Sequence, residues 1–119
     1  MNENRRIHCV PPEYLTDDEL KKEHSTILDV FSAVNQAISK GRTPEHYAEF
    51  DKYVFGEGHL KFFYTKISYL KSRFKHIESV LHARGLKKGV YLPKTVKKIT
   101  PEWCKGWNPT EDDFYLVIS

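Results

Sequence analysis

The sequence predicts an all-α fold, a small single-domain protein in which two long helices pack antiparallel. Short helices, an irregular N-terminal arm and a C-terminal segment complete this expected architecture. In two stretches the apolar residues recur at alternating spacings of three and four, which places them on one side of an α-helix. The chain has 119 residues, enough for one hydrophobic core, so we treat 1–119 as one domain.

The first long helix is predicted to begin at a capping box, Thr16-Asp17-Asp18-Glu19, and to run to Lys40. In this motif the threonine hydroxyl and the glutamate side chain each bond a free backbone amide of the first turn. Gly41 follows, as is typical of helix ends. The apolar stripe consists of Leu20, His24, Ile27, Phe31, Val34 and Ile38.

The second long helix is predicted within Phe55–Gly85, between Gly58 and a terminal Gly85. Its stripe consists of Leu60, Phe63, Ile67, Leu70, Phe74, Ile77 and Leu81. Packing the two stripes against each other buries both. Between the long helices, Pro44 favours a short helix over Glu45–Asp51.

The two ends of the chain carry fewer helix signals. Pro11 and Pro12 exclude a helix there, so the N-terminal arm is expected to be extended or irregular. Trp103 and Trp107 are expected to cover the helix pair, with stacking on a nucleic-acid base as the alternative. The apolar tail is expected to pack on the body or to form a homo-oligomer. Its residues are Phe114, Tyr115, Leu116, Val117 and Ile118.

Composition excludes several classes of protein. The two cysteines, Cys9 and Cys104, are too few for a disulfide framework and show no metal-binding spacing. The histidines form no HxxxH pair, so we predict no metal site and no cofactor. No long apolar run or signal-type segment occurs, which predicts a cytoplasmic protein without a membrane partner. The formal net charge of +3 permits a phosphate-bearing partner without requiring one.

The central stretch carries a recognisable pattern, roughly GxGHxxFFYxKxxxLxxR. The residues that fit it are Gly56, Gly58, His59, Phe62, Phe63, Tyr64, Lys66, Leu70 and Arg73. With Arg6-Ile7 near the start, they resemble the phage-type pyrimidine-dimer DNA glycosylases, the endonuclease V family. Looser matches at Pro101, Gly106 and Pro109 extend the resemblance toward the C-terminus. It implies an all-α fold with the N-terminal arm threaded between helices.

The resemblance also implies a chemistry. In the family, an N-terminal amine attacks the sugar carbon to form a Schiff base, a glutamate assists, and an arginine holds the opened DNA. Here the amine position falls on Arg5, behind a four-residue extension that displaces the amine by up to about 13 Å. The glutamate position falls on Thr26 and the arginine position on Ser25, while a further basic position falls on Asp29.

Two further departures follow from the resemblance. Glu23 aligns with a second, non-catalytic family glutamate, and it could in principle substitute because it lies one turn from Thr26 on the same face. The family's last helix and aromatic tail have no counterpart before Ser119. The sequence therefore predicts a protein that is not an enzyme, with no catalytic residues of the family type.

A binding role is the expected alternative to catalysis. A cleft left between the arm and the helices would favour an anion such as a nucleotide or a DNA phosphate. Its expected ligand-binding residues are Arg5, Arg6, His24, Ser25, Thr26, His59 and Arg73. For His24 a core role, bonded to a backbone carbonyl, stays open beside the ligand-facing one.

Three function hypotheses follow. The first is an inactive nucleotide-binding protein, for example a phage anti-defence protein that sequesters a nucleotide immune signal. The second is an active DNA glycosylase with AP lyase activity on pyrimidine dimers or other damaged bases. The third is a protein-interaction module that assembles through its C-terminal tail.

Overall fold

The computed structural model describes residues 6–53, 58–87 and 92–110, and within these ranges the protein is helical without a β-strand. The all-α prediction is confirmed. The three α-helices are α1 (Asp17–Ser39), α2 (His59–Phe62) and α3 (Ile67–Ala83). Short 3-10 helices span Pro12–Tyr14, Pro44–Tyr47, Phe63–Thr65, Lys94–Lys98 and Pro101–Trp103.

Helix α1 begins at the predicted capping box. The Thr16 hydroxyl accepts from the Glu19 amide at 3.2 Å, and the Thr16 amide donates to the Glu19 carboxylate at 2.8 Å. At the other end Gly41 adopts a left-handed φ of 78°. The amides of Gly41 and Arg42 then donate to the carbonyls of Ile38 and Ala37, respectively, which closes a Schellman turn.

Helices α1 and α3 pack antiparallel, as predicted. Asp17 at the start of α1 pairs with Arg84 beyond the end of α3, at 2.8 Å. Two turns into α1, His24 contacts Glu78, and further along Phe31 packs on Phe74. Both predicted stripes are buried along most of their length. Full burial of one such side chain contributes about 1.5–3 kcal/mol, so this interface is the main source of stability.

The second predicted helix is not continuous. Lys66, at φ −124° and ψ 44°, interrupts it between the 3-10 turn Phe63–Thr65 and α3. There the backbone forms a bridge to Cys104, and the Lys105 amide donates to the Thr65 carbonyl at 3.2 Å. The C-terminal segment thus takes up backbone groups that a straight helix would have bonded internally.

Other predicted elements differ in extent. The helix expected over Glu45–Asp51 is only the 3-10 turn Pro44–Tyr47. Trp103, which was expected to cover the helix pair, is completely buried in the core near Tyr47. Trp107 is half-buried among aromatic rings.

Some predictions concern residues outside this structure. The apolar tail 114–118 lies outside the described residues, as do residues 55–57, which precede Gly58 at the start of the predicted second helix. Within the described ranges, no helix combines the length and apolar character needed to cross a membrane.

Among the glycines that the structure describes, Gly58 is expected to be the least replaceable. Its φ of 87° is left-handed, and a Cβ there would lie 2.8 Å from the Phe50 ring. Gly58→Ala should therefore lower the free energy of unfolding by about 2–3 kcal/mol, through backbone strain plus a steric clash.

Gly85→Ala is the matched control, because Gly85 has a φ of 77° and open space around it. We expect it to cost only the strain of the left-handed conformation, about 1 kcal/mol. Urea denaturation followed by circular dichroism measures both variants. An equal loss of unfolding free energy in the two variants would show that the contact with the Phe50 ring does not add to the cost at Gly58.

Candidate functional site

The carboxylate of Glu23 lies in the interior, on the face of α1 that meets the N-terminal arm and α3. Oε1 accepts from the His8 amide at 2.9 Å and lies 2.8 Å from the His8 Nδ1. Arg73 donates through Nε to Oε2 and through Nη2 to Oε1, the latter at 3.3 Å. Arg73 also donates to the Val10 carbonyl at 2.7 Å. Glu23 and Arg73 thereby join three segments of the chain.

This network keeps Glu23 ionised. Burial by itself raises the pKa of Glu23, but the hydrogen bonds from His8 and the charge of Arg73 outweigh it, so the pKa is lowered. For Arg73 burial acts in the other direction and lowers the pKa, because it disfavours the charged guanidinium. The charge and hydrogen bonds of Glu23 outweigh this effect, so the pKa of Arg73 is raised. Both oxygens of Glu23 already accept hydrogen bonds, so the carboxylate has little capacity left to take up a proton.

Thr26, at the position where the resemblance implies a catalytic glutamate, is buried as well. Its hydroxyl donates to the Lys22 carbonyl of the same helix at 2.9 Å. Ser25 beside it and Asp29 in the next turn are exposed. This stretch of α1 therefore presents a serine and an aspartate to solvent, while Thr26 points inward.

His59 and Tyr53 hold the arm at Ile7. The Ile7 amide donates to His59 Nε2 at 2.9 Å, and the Tyr53 hydroxyl donates to the Ile7 carbonyl at 2.8 Å. Burial is the main cause that raises the pKa of Tyr53, so its phenol stays protonated. The arm is thus fixed as far as Ile7, and the preceding Arg6 is exposed.

His24 has a carboxylate partner rather than the backbone carbonyl considered from the sequence. Its Nε2 lies 2.9 Å from Glu78 Oε2, and its ring stacks on Phe74 at 4.4 Å between centroids. Lys87 completes the group, with Nζ 3.0 Å from the same oxygen of Glu78. His24 bridges the two long helices.

The predicted site residues do not all surround one open cleft. Thr26, His59 and Arg73 are buried with internal partners, and His24 is mostly buried. Arg6 and Ser25 are exposed, and Arg5 lies outside the described residues.

The sequence reasoning did not single out His8, Tyr53 and Glu78 as partners in these networks. The one sequence signal for them is a glutamate at helical spacing from the apolar stripe of each long helix, because a carboxylate buried there needs cationic partners. Within the described residues, no three histidine, cysteine or acidic side chains come together in a way that could hold a metal ion.

The family model described as pyrimidine dimer DNA glycosylase matches residues 5–93. The chain belongs to the pyrimidine dimer DNA glycosylase family. The match begins at Arg5 and contains every residue of the Glu23–Arg73 network, so this glycosylase frame includes the buried polar interior described above.

Two adjoining pockets open on the solvent-facing side of α1 in this glycosylase-family chain. The first, of about 380 Å³, is lined by Lys40, Arg42, His46, Glu49 and Lys61, among others. The second, of about 420 Å³, is lined by Asp29, Val30, Ser32 and Leu60. Ala33, Gln36 and Tyr64 line both pockets, so the two form one groove. Neither is lined by Glu23 or Thr26.

Removing the cation from the buried pair should destabilise the protein strongly. Arg73→Met leaves the Glu23 carboxylate buried without its ionic partner, so we expect a loss of about 3–5 kcal/mol in the free energy of unfolding. The double variant Glu23→Gln/Arg73→Met should recover part of it, because no unpaired charge remains. Glu13→Gln is the control, since Glu13 pairs with His76 on the exposed surface, and little change is expected. A single Arg73 variant as stable as this control would contradict the assignment.

The pH dependence of stability should report the same carboxylate. Because the pKa of Glu23 is lowered from 4.5 on folding, its contribution is present above about pH 4.5 and is lost as the pH falls below. Glu23→Gln should therefore flatten the acid side of the stability curve. Thermal unfolding of both proteins at closely spaced acidic pH values measures this. Parallel curves would show that Glu23 has the same pKa in the folded and unfolded chain.

Proposed function

We propose that this glycosylase-family protein binds the phosphates of a nucleotide or of DNA and does not carry out the amine-and-glutamate chemistry that the resemblance implies. The main support is Thr26. The resemblance places it at the position of the catalytic glutamate, and its hydroxyl is buried against the Lys22 carbonyl. A threonine so placed has no ionisable group to assist a Schiff base.

Glu23 is a poor substitute for the missing carboxylate. A general base needs an accessible oxygen within hydrogen-bond distance of the proton that it removes. Glu23 is 1% exposed, and its two oxygens accept from His8 and Arg73. Using it as a base would require breaking the contacts that hold the arm in place.

Binding of a phosphate-bearing partner rests on family membership and on charge. A DNA-related partner is what the pyrimidine dimer glycosylase family suggests. The net charge of +3 is compatible with that partner. The finer hypothesis, a phage protein that sequesters a nucleotide immune signal, predicts binding of free nucleotides without turnover.

A lyase remains the alternative, and one amine of the structure favours it. Lys66 is half-buried beside a pocket of about 270 Å³, which Lys105 also lines. Burial is the main cause that lowers the pKa of Lys66, and the charge of Lys105 adds to it. A less basic amine is a better nucleophile at neutral pH. Against this role, Nζ donates to the Phe62 carbonyl at 3.1 Å and lies 3.9 Å from the centre of the Phe62 ring.

The proposal predicts no covalent intermediate. Incubation with abasic and dimer-containing duplexes in the presence of sodium borohydride should give no protein–DNA adduct on a denaturing gel, even at high protein concentration. A trapped adduct would overturn the inactive assignment. If the adduct disappeared in Lys66→Gln, Lys66 would be the nucleophile of a lyase. If the adduct persisted in that variant, the N-terminal amine would be the nucleophile.

Binding itself is tested by titrating the protein against nucleotides and short DNA at several salt concentrations. Affinity for at least one of them, falling with salt as counterions are released, is the expected result. Absence of affinity for all of them at low salt would overturn the proposal.

The assembly hypothesis is separate from ligand binding. Residues 114–118 lie outside the described structure, and their role in a homo-oligomer stays a prediction. Light scattering of the full chain and of a chain shortened before Phe114 compares the two masses directly.

A further inference from the structure

We propose that the groove along the solvent-facing side of α1 binds one nucleotide unit. Its phosphate lies in the pocket of Lys40, Arg42 and Lys61, and its base lies against Tyr64 in the adjoining pocket. This inference rests on the proposed function and assigns a site to it. It places the ligand beyond the family's catalytic position at Thr26, toward the C-terminal end of the helix.

The Schellman turn at the end of α1 brings two of the cations to the same pocket. Because Gly41 is left-handed, the chain reverses after Lys40, and the Arg42 amide donates back to the Ala37 carbonyl at 3.0 Å. Arg42 is further fixed by its Nη1, which donates to the Tyr47 hydroxyl at 3.1 Å. An arginine oriented in advance loses less side-chain entropy when it binds a phosphate.

Lys61 reaches the pocket from α2. Its Nζ lies 5.0 Å from the centre of the Phe50 ring, which also lines the pocket. Within the described part of the chain, neither Lys40 nor Lys61 forms an ion pair with a carboxylate. Their ammonium groups are available to an anionic ligand.

The charges of the pocket favour an anion. Glu49 contributes one negative charge, and the C-terminal end of α1 contributes roughly half of one. Lys40, Arg42 and Lys61 together outweigh both. Because the Schellman turn already satisfies the carbonyls of Ala37 and Ile38, those oxygens do not project toward the ligand.

The adjoining pocket has the chemistry of a base-binding site. Val30, Leu60 and the Tyr64 ring provide apolar surface, while Asp29, Ser32 and Gln36 provide hydrogen-bonding groups for the polar edge of a base. An aromatic ring beside a cationic pocket is the arrangement on which single bases stack next to their phosphates. Tyr64 is itself supported edge-on by Tyr47, with ring centroids 4.9 Å apart.

The size of the groove indicates a small ligand. The two pockets, of about 380 and 420 Å³, share part of their lining and fall in the range of small-molecule sites, roughly 300–1,000 Å³. That space suits one nucleotide, whether free or unstacked from a strand, and not a stacked duplex. Binding of free nucleotides and binding of single-stranded DNA are therefore measured separately.

The test is isothermal titration of wild-type protein and variants with adenosine 5′-monophosphate and thymidine 5′-monophosphate. Lys40→Glu and Lys61→Glu should each weaken binding roughly tenfold or more, because a charged hydrogen bond is replaced by repulsion. Lys75→Glu and Lys97→Glu are matched controls, since both lysines are exposed and line neither pocket. They should leave the affinity within about twofold of wild type.

A second variant blocks the groove without disturbing the core. Gln36 is exposed and lines both pockets, so Gln36→Trp should fill the groove while the protein stays folded, as circular dichroism will verify. It should weaken binding of both nucleotides roughly tenfold or more, the loss expected when a large side chain occupies a ligand pocket. Nucleotide affinity equal to that of wild type in this variant would overturn the groove as the site.

The outcomes distinguish the two proposals. If wild-type protein binds neither nucleotides nor DNA, the proposed function fails. The groove fails and the proposed function stands if wild-type protein binds them but Lys40→Glu and Lys61→Glu lose no more affinity than the Lys75 and Lys97 controls. A short oligothymidylate and its duplex identify the source of the nucleotide. If Lys61→Glu weakens binding of the single strand and not of the duplex, the result supports the groove. If the protein binds only the duplex, and Lys61→Glu does not change that binding, the result overturns the groove.

Discussion

Glu23 and Arg73 meet in the interior of the protein, and the position of the N-terminal arm depends on that pair. Removing either ion from water costs several kcal/mol, so each needs the other and further hydrogen bonds as well. The arm supplies these bonds through the His8 amide and ring and through the Val10 carbonyl. An ion pair between α1 and α3 is thus completed only when the arm lies between them.

The apolar contacts provide the stability that this polar interior does not. The stripes of α1 and α3 are packed against each other, and an aromatic cluster closes one end of the core. Trp107 illustrates the cluster, with its ring 5.1 Å from Phe62 and 5.0 Å from Tyr69 between centroids. The backbone bridge at Lys66 fixes the segment that carries both tryptophans. Because none of these contacts involves Ser25 or Asp29, the glycosylase frame can be retained while those surface positions vary.

The departures from the family pattern do not share one environment, because Thr26 is buried whereas Ser25 and Asp29 are exposed. Glu23, His59 and Arg73 are buried and bonded within the protein, which gives them a structural role independent of any reaction. The departures at Ser25 and Asp29 are exposed and make this face of α1 less basic. The cations of the groove lie elsewhere, Lys40 and Arg42 just beyond the C-terminal end of α1 and Lys61 on α2. The proposed nucleotide groove is therefore displaced from these positions toward the C-terminal end of α1.

The sequence by itself determined the class of fold, the ends of α1, the two apolar stripes and the family. These features follow from local rules, since a capping box, a left-handed glycine and a three–four periodicity act within one helix. The tertiary structure decided where the second helix breaks, because the bridge between Lys66 and Cys104 joins residues far apart in the chain. It also decided that Glu23 is held by His8 and Arg73, and that Lys40, Arg42 and Lys61 share one pocket. Burial and pairing of polar groups depend on how helices pack, and helical periodicity does not specify which side chains from different helices meet.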